Sequence, residues 1–396
     1  MSKFESVLNN LKLRKQRAEN GLYNCIPLAF PRFRVALPGT EMAKFIVITA
    51  NQKVGKSKLV DYMYVYEPLF FMMEHPELRV KVQYFTLEVS PVEKYNEFLC
   101  HLLYRLDGIE IDTKRLKSVD KDNPVDSKIF ELLESERYRP YIEKFEEMVE
   151  YIGDIKNPTG INKKCREYAL NHGHLNFKKV TVKDELGMES ERQVLDEMNP
   201  YTPDDPEEYR IILLDNANNL VRESGMNKME TIEKMAKYGI TLRDQLKYIF
   251  ILVQHQAQAQ EGIENQKLNR LKPSSDGLAD CKTTTRDANL VIGLYSPFKY
   301  GIREYEGYNI EKLRDNVRFM EVIEDRDYGA NGQICPLYFD GAVSTFAELP
   351  RVQNKEEMDK LYNFVMDRQK RRFSRSFLMH SVRKLINWVR DKEIKY

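Results

Sequence analysis

A run of eight residues between two regular patterns carries the clearest chemistry in this chain. These residues are Ala50, Asn51, Gln52, Lys53, Val54, Gly55, Lys56 and Ser57. The apolar run 45–49 before them predicts a buried strand, and residues 58–63 after them predict the opening of a helix. Strand, loop, Gly-Lys-Ser and helix form the layout of a phosphate-binding loop, where backbone N–H groups at a helix start converge on an anion.

This layout predicts ATP and Mg²⁺ as the cofactors of the site. Lys56 would reach the β- and γ-phosphates, and the Ser57 hydroxyl would bind Mg²⁺. The general pattern opens with glycine, whereas this chain has Ala50. The alternative is a chance Gly-Lys-Ser in a loop, but the flanking strand and helix favour the phosphate site.

Three further apolar runs end in polar side chains that nucleotide hydrolysis could use. Asp215 follows residues 211–214 and could hold Mg²⁺ through water, and Glu88 could polarise the attacking water. Gln254 could hydrogen-bond the γ-phosphate and signal its presence to the next loop. The alternatives are solvated carboxylates at strand ends and an amide that caps a turn.

A charged hairpin tip supplies a candidate for stabilising transition-state charge. Residues 319–324 and 334–339 predict an antiparallel pair of strands, and Arg326 lies between them. Its guanidinium could reach the nucleotide of a neighbouring subunit. The alternative is an arginine paired with Asp325 or Asp327.

The elements that must position these residues alternate between strands and helices. Strand patterns occur at 45–49, 80–88, 209–215, 249–255 and 289–295, and helix patterns at 91–106, 161–170 and 226–248. This alternation predicts an α/β fold with a mostly parallel central sheet. In such sheets ligands bind beyond the carboxyl ends of the strands, where Ser57, Glu88, Asp215 and Gln254 all fall.

Composition narrows the class of protein. The chain has 396 residues, of which 42% are apolar and 31% charged, and its net charge is +1. No apolar run approaches the roughly 18 residues that would span a membrane, and the N-terminus has no secretion signal. The five cysteines form no C-x-x-C pair, which argues against a zinc site or a disulfide framework. We therefore expect a cytoplasmic protein.

Three parts are expected along the chain. Residues 1–24 form an amphipathic helix, which is either an ordinary surface helix or an arm that docks on a neighbouring subunit. Residues 25–350 form the α/β body, with insertions at about 107–150 and 171–209. Residues 351–396 form a basic helical tail. Residues 368–396 carry +8, so the rest of the chain carries −7.

Six motifs in order resemble those of the DnaB-type hexameric replicative helicases, a family with a RecA-like ATPase core. They lie at residues 50–57, 84–90, 211–215, 251–256, 275–289 and 322–329. The resemblance covers roughly residues 25–345 and includes alanine at the first position of the phosphate loop. It implies that Glu88 is the catalytic base, Asp215 the Walker B aspartate, Gln254 the γ-phosphate sensor and Arg326 the arginine finger.

The resemblance also implies partners. These are a homo-oligomeric ring, usually of six subunits, with ATP at subunit interfaces, and single-stranded DNA bound without sequence preference in the channel. A helicase loader or another replication partner is possible. The N-terminal helix would be the linker that packs on the adjacent subunit. The candidate DNA-binding residues are loop cations and tail cations, with Phe377 and Trp388 as stacking or core residues: Lys267, Arg270, Lys272, Arg368, Lys370, Arg371, Arg372, Arg375, Arg383 and Lys384.

The chain also departs from the family pattern. The primase-contacting N-terminal domain of the family is missing, which would suit a phage or mobile element. Glu324 stands where the finger hairpin usually carries lysine, and Leu278 replaces a family arginine. Two alternatives therefore stay open: a RecA- or KaiC-like ATPase of recombination or helicase loading, and a nucleotide-gated structural or assembly protein that does not unwind DNA.

Overall fold

The computed structural model describes residues 3–183, 188–268 and 270–373. The α-helices are α1 (Lys3–Glu19), α2 (Lys56–Asp61), α3 (Glu67–Glu74), α4 (Pro91–Asp107), α5 (Thr113–Leu116), α6 (Ser127–Leu133), α7 (Arg139–Met148), α8 (Pro158–Asn171), α9 (Lys228–Leu246), α10 (Ile263–Lys267), α11 (Thr284–Asp287), α12 (Ile310–Leu313) and α13 (Lys355–Phe373). A π-helical segment, Tyr62–Tyr66, joins α2 to α3, so the chain runs helically from the phosphate loop to Glu74.

The strands form one large sheet and four small two-stranded sheets. They are β1 (Ile26–Pro27), β2 (Gly39–Thr40), β3 (Lys44–Ala50), β4 (Arg79–Thr86), β5 (Val149–Ile152), β6 (Gly173–Leu175), β7 (Phe177–Lys183), β8 (Glu189–Leu195), β9 (Tyr201–Pro203), β10 (Glu208–Asp215), β11 (Ile249–His255), β12 (Leu290–Tyr295), β13 (Glu304–Tyr305), β14 (Tyr308–Asn309), β15 (Val317–Asp325), β16 (Ile334–Asp340) and β17 (Thr345–Glu348).

The nine strands of the large sheet lie in the order β17-β16-β15-β12-β3-β11-β10-β4-β5. The six strands from β12 to β5 are parallel to one another. The last three strands in sequence, β15 to β17, add antiparallel neighbours at one side. The predicted α/β fold with a mostly parallel sheet flanked by helices is confirmed, as is the late antiparallel pair.

Alternation of side chains along the central strands creates two separate cores. Ile211 and Leu213 of β10 face a core that contains helices α2, α3, α4 and α7. Ile212 and Leu214 face the opposite core, which contains α8 and α9. Both faces of the strand are covered, which explains why its sequence is continuously apolar rather than alternating.

Helix α9 packs unusually close to the sheet. A Cβ atom at Gly239 would lie 2.3 Å from Cδ1 of Phe250 in β11, so only glycine allows this approach. The helix begins with a capping box in which the Asn227 side chain accepts from the backbone N–H of Glu230. These local features fix the helix that lies behind the carboxyl ends of β10 and β11.

The two stretches expected as insertions differ in structure. Residues 107–150 supply helices α5 to α7, and their Tyr138 and Phe145 are buried in the first core. Residues 171–209 form the small sheet β6–β9 and the hairpin β7–β8. Helix α1 has no buried residue and is tied to the body by Arg17, which donates to the Glu207 carboxylate at 2.7 Å.

None of the helices in the described ranges combines the length and apolar character that crossing a membrane requires.

Candidate functional site

The candidate site lies at one edge of the sheet, where the parallel strands β3, β4, β10 and β11 end. Because parallel strands all end at the same side, the residues that follow them come together there. The phosphate loop follows β3, Glu88 follows β4, Asp215 ends β10 and His255 ends β11. Four distant parts of the sequence therefore contribute to a single edge.

Glycine at the end of the phosphate loop is required twice over. Gly55 has φ +100°, which side chains disfavour, and a Cβ there would lie 3.0 Å from Cζ of Phe339. Gln52 and Lys53 are exposed, whereas Val54 is buried. The loop thus presents its early residues to solvent and anchors its last turn on the protein.

A buried arginine supports this loop from below. Arg318 in β15 is 2% exposed, and its Nε donates to the backbone carbonyl of Val54 at 2.5 Å. The guanidinium also donates to the Asp315 carbonyl at 2.8 Å and lies 4.4 Å from the ring centre of Phe339. Sequence analysis missed Arg318 because a lone arginine in a late strand has no motif around it.

Lys56 contacts a histidine. Its ammonium lies 2.8 Å from Nδ1 of His255. Burial lowers the pKa of Lys56 to about 8, although the nearby charges of Asp215 and Glu88 raise it. Burial and the Lys56 charge lower the pKa of His255 to about 4, so the imidazole is neutral at physiological pH.

The contacts continue from His255 to Glu88 through an asparagine. His255 Nε2 lies 3.1 Å from Nδ2 of Asn216, and that amide nitrogen donates to Glu88 Oε2 at 2.5 Å. The phosphate-loop lysine and the candidate base are therefore linked across the edge by His255 and Asn216. Sequence analysis gave neither residue a role, although each directly follows a residue that it singled out.

Asp215 keeps one oxygen available for a metal. The side chain is 3% exposed, and Oδ2 accepts from the Tyr84 hydroxyl at 3.3 Å. The other oxygen, Oδ1, is buried and has no hydrogen-bond partner among the described residues. An orphaned carboxylate oxygen beside a phosphate loop fits Mg²⁺, which binds hard oxygen ligands and keeps several waters.

A buried ion pair lies behind Asp215. Lys94 in α4 donates to Asp61 of α2 at 2.7 Å, and its ammonium is 3.9 Å from the Asp215 carboxylate. The Tyr84 hydroxyl is 2.8 Å from the Asp61 carboxylate. Burial raises the pKa of Asp61 to about 6 against the lowering effect of Lys94. For Lys94, burial lowers the pKa, but Asp61, Asp215 and Glu97 outweigh it, so the residue remains an ammonium.

The structure places the side chain of Gln254 away from Lys56. Its amide donates to the carbonyls of Ala279 and Cys281, both at 2.7 Å, and accepts from the Thr284 hydroxyl at 2.8 Å. These bonds fasten β11 to the loop that precedes α11. The residue of this strand that contacts the phosphate-loop lysine is His255.

Arg326 lies at the opposite edge of the sheet. Its backbone N–H donates to the carbonyl of Asn289, just before β12, at 3.0 Å, and its guanidinium donates to the Arg286 carbonyl. The seven-residue strand β3 separates the two edges by about 20 Å. Arg326 therefore cannot reach the phosphate loop of its own chain.

The candidate DNA-binding cations differ in availability. Lys267 and Arg270 are exposed in the loop after β11, whereas Lys272 lies 3.2 Å from the Glu321 carboxylate. Arg368 was expected to contact DNA, but it is buried and ion-paired with Asp340, so this expectation is wrong. The side chains of residues 369–373 and all of residues 374–396, including Phe377 and Trp388, lie outside the described part of the chain.

The fold and this edge define a class of protein: an α/β domain built around a phosphate loop. Comparison with solved structures gives two informative likenesses, each at 13% identity. A solved ATPase domain of a DnaB-like helicase matches with a TM-score of 0.58, over 87% of this chain and 99% of that chain. "The Structure Of A DnaB-Like Replicative Helicase And Its Interactions With Primase" matches with a TM-score of 0.56, over 86% of this chain and 66% of that one. No family model and no curated protein matches the sequence.

The chain therefore has the RecA-like ATPase fold of these DnaB-like helicases. The resemblance predicted from the six motifs is confirmed at the level of the fold, because two structures with only 13% identity cover more than four fifths of this chain. Its activity and partners are taken up as a proposal.

Proposed function

We propose that this chain is an ATP-driven translocase on single-stranded DNA, with the core of a DnaB-type replicative helicase. The observation that carries the proposal is the arrangement at the carboxyl edge. A phosphate loop, a buried aspartate with an orphaned oxygen and a strand-end glutamate meet there, in the fold of helicase ATPase domains.

The residues present fit bound Mg²⁺ and ATP. Lys56 would hold the β- and γ-phosphates, backbone N–H groups of residues 51–57 would surround them, and Ser57 with Asp215 would hold Mg²⁺. Glu88, oriented by the Asn216 amide, would accept hydrogen bonds from the attacking water and align it. Bound Mg²⁺ would neutralise charge that develops on the phosphates.

Two exposed features support a ring, with six subunits as the expected number. Helix α1 exposes an apolar stripe, with Phe4 72% and Leu11 58% exposed, which would pack on an adjacent subunit as a linker helix. Arg326 lies too far from its own phosphate loop and would serve the nucleotide of a neighbour. The exposed Lys267 and Arg270 would contact DNA phosphates.

The test is the ATPase rate with and without single-stranded DNA. Lys56→Ala should lower the rate by about a thousandfold, since Lys56 stabilises the transferred phosphoryl group. Lys282→Ala is the matched control, because this exposed lysine lies outside the site. Retained turnover in Lys56→Ala would refute the site.

Glu88→Gln separates binding from chemistry. The variant should bind ATP as the wild type does but turn it over at least about a hundredfold more slowly, because the amide is no base. Strand displacement on a forked duplex then decides between helicase and loader. ATPase activity without displacement would favour the RecA- or KaiC-like alternative, and binding without turnover would favour an assembly protein.

A further inference from the structure

A small cluster of side chains joins the phosphate loop to the loop that follows β11. Lys299, in the turn after β12, donates to the Gln52 carbonyl at 2.8 Å and forms an ion pair with Glu261. The adjacent Tyr300 hydroxyl donates to Glu261 Oε1 at 2.5 Å and accepts from the Asn51 amide at 2.7 Å. We call Glu261, Lys299 and Tyr300 the clamp.

Glu261 belongs to a stretch that needs such an anchor. Residues 257–268 contain one 3₁₀ turn and the five-residue helix α10. Ile263 is 72% exposed and Leu268 55%, so the stretch has little apolar packing to hold it. Its base is fixed to the phosphate loop by Gln256, whose backbone N–H donates to the Ala50 carbonyl at 3.1 Å.

The clamp lysine lies close enough to the phosphate site to act on it electrostatically. Burial is the main cause that lowers the pKa of Lys56, and the positive charge of Lys299 lowers it further. Two ammonium groups thus act on the same small volume, where a nucleotide would place several negative charges. The Lys299 side chain is 30% exposed and has a flexible four-carbon stem, so it can change partner without rearranging the core.

Competition for Lys299 follows from these contacts. In the structure its ammonium is held by one carboxylate and one carbonyl. A polyphosphate carries more charge than a single carboxylate and is a stronger acceptor of charge-assisted hydrogen bonds. Bound nucleotide and Glu261 therefore compete for the same ammonium.

We propose that Lys299 is a nucleotide-sensing residue, which leaves Glu261 for the phosphates of a bound nucleotide and thereby releases residues 257–268 from the phosphate loop. This inference rests on the proposed ATP site and adds to it a route from that site to the loop that carries Lys267. The loop is held while the site lacks nucleotide and is freed when nucleotide binds.

Hydrogen exchange of the full chain tests this sensing role. In the wild type, peptides covering residues 257–268 should exchange about fivefold faster when a non-hydrolysable ATP analogue and Mg²⁺ are added. Lys299→Gln should show fast exchange in both conditions, because Glu261 has lost its cation. Lys312→Gln, a change at an exposed lysine of α12, should behave as the wild type.

A second variant distinguishes sensing from a merely structural contact. Glu261→Gln removes the competitor and leaves Lys299 free for phosphate, so affinity for the analogue should rise about two- to fivefold. A structural contact would instead leave affinity unchanged or lowered, which would overturn the proposal.

Analogue binding is measured in the same samples by fluorescence. If the wild type binds the analogue and the exchange of residues 257–268 does not change, the sensing role is wrong and the ATP site stands. If the wild type binds no analogue, both the sensing role and the proposed function are wrong.

Discussion

The two edges of the central sheet carry charges of very different character. At the carboxyl edge, Asp61, Lys94 and Asp215 are each 3% exposed or less and contact one another in a closed network. At the amino edge, Lys44 pairs with Asp327 at 2.8 Å, but both side chains keep contact with water. The closed network lies directly behind the candidate nucleotide site, whereas the open pair lies at the far edge.

This difference teaches where the molecule is committed to one arrangement. A buried charge must be paired, so the network behind Asp215 holds that carboxylate in one place. Exposed charges are free to find other partners, which suits an edge that would meet a second subunit. The carboxyl edge is preorganised, and the amino edge is available.

The largest expected effect tests the amino edge. Arg326→Ala should reduce ATP turnover of the assembled protein about a thousandfold, while nucleotide binding by the isolated chain stays within about twofold. Mixing this variant with Lys56→Ala should restore part of the activity, because an intact phosphate loop then meets an intact Arg326 from its neighbour. Mixtures as inactive as the two parents would refute a role between subunits.

The next effect tests the carboxyl edge. Lys94→Met should lower the free energy of unfolding by about 3–5 kcal/mol, because Asp61 is left as a buried charge without its cation. The double variant Lys94→Met with Asp61→Leu should recover most of this loss. Urea titrations measure both, and a small effect of the single variant would show that water reaches the network.

A smaller effect tests how acid acts on the buried side. Burial lowers the pKa of His101, in α4, to about 3, below its ordinary value of 6.5. The unfolded chain then binds a proton that the folded chain does not, so stability is present above pH 6.5 and is lost as the pH falls. His101→Phe should therefore be about 2 kcal/mol less sensitive than the wild type to a change from about pH 7 to 5, as urea titrations at the two pH values would measure.

Asp61 acts in the opposite direction and serves as an internal check. Its folded-state pKa of about 6 lies above the ordinary value, so it adds stability as the pH falls from about 6 to 3.8. Because Asp61 is unchanged in both proteins, the difference between the two pH profiles isolates His101. Identical profiles would mean that His101 is not held neutral.

The smallest effect is expected at the exposed pair. Asp327→Ala should change the free energy of unfolding by less than about 1 kcal/mol, since partly exposed ion pairs contribute little. Raising the salt concentration should reduce even this difference. A loss as large as that of Lys94→Met would remove the contrast between the two edges.

Periodicity and motif order were enough to predict the α/β fold and the order of its main elements. Runs such as 211–214 and 249–253 are too apolar for one-sided strands, so a covered parallel sheet follows from them. The phosphate loop was evident for the same reason, because glycine and a helix start at fixed spacing are local features. Local chemistry is written in consecutive residues and needs no tertiary information.

The sequence by itself thus determined the sheet, the phosphate loop and the edge at which Glu88 and Asp215 end their strands. Only the tertiary structure decided that His255 rather than Gln254 meets Lys56, that Lys94 is buried behind Asp215, and that Arg326 lies at the far edge. The reason is physical. Which side of a strand end a side chain occupies, and which charges share a core, depend on packing between segments far apart in the chain.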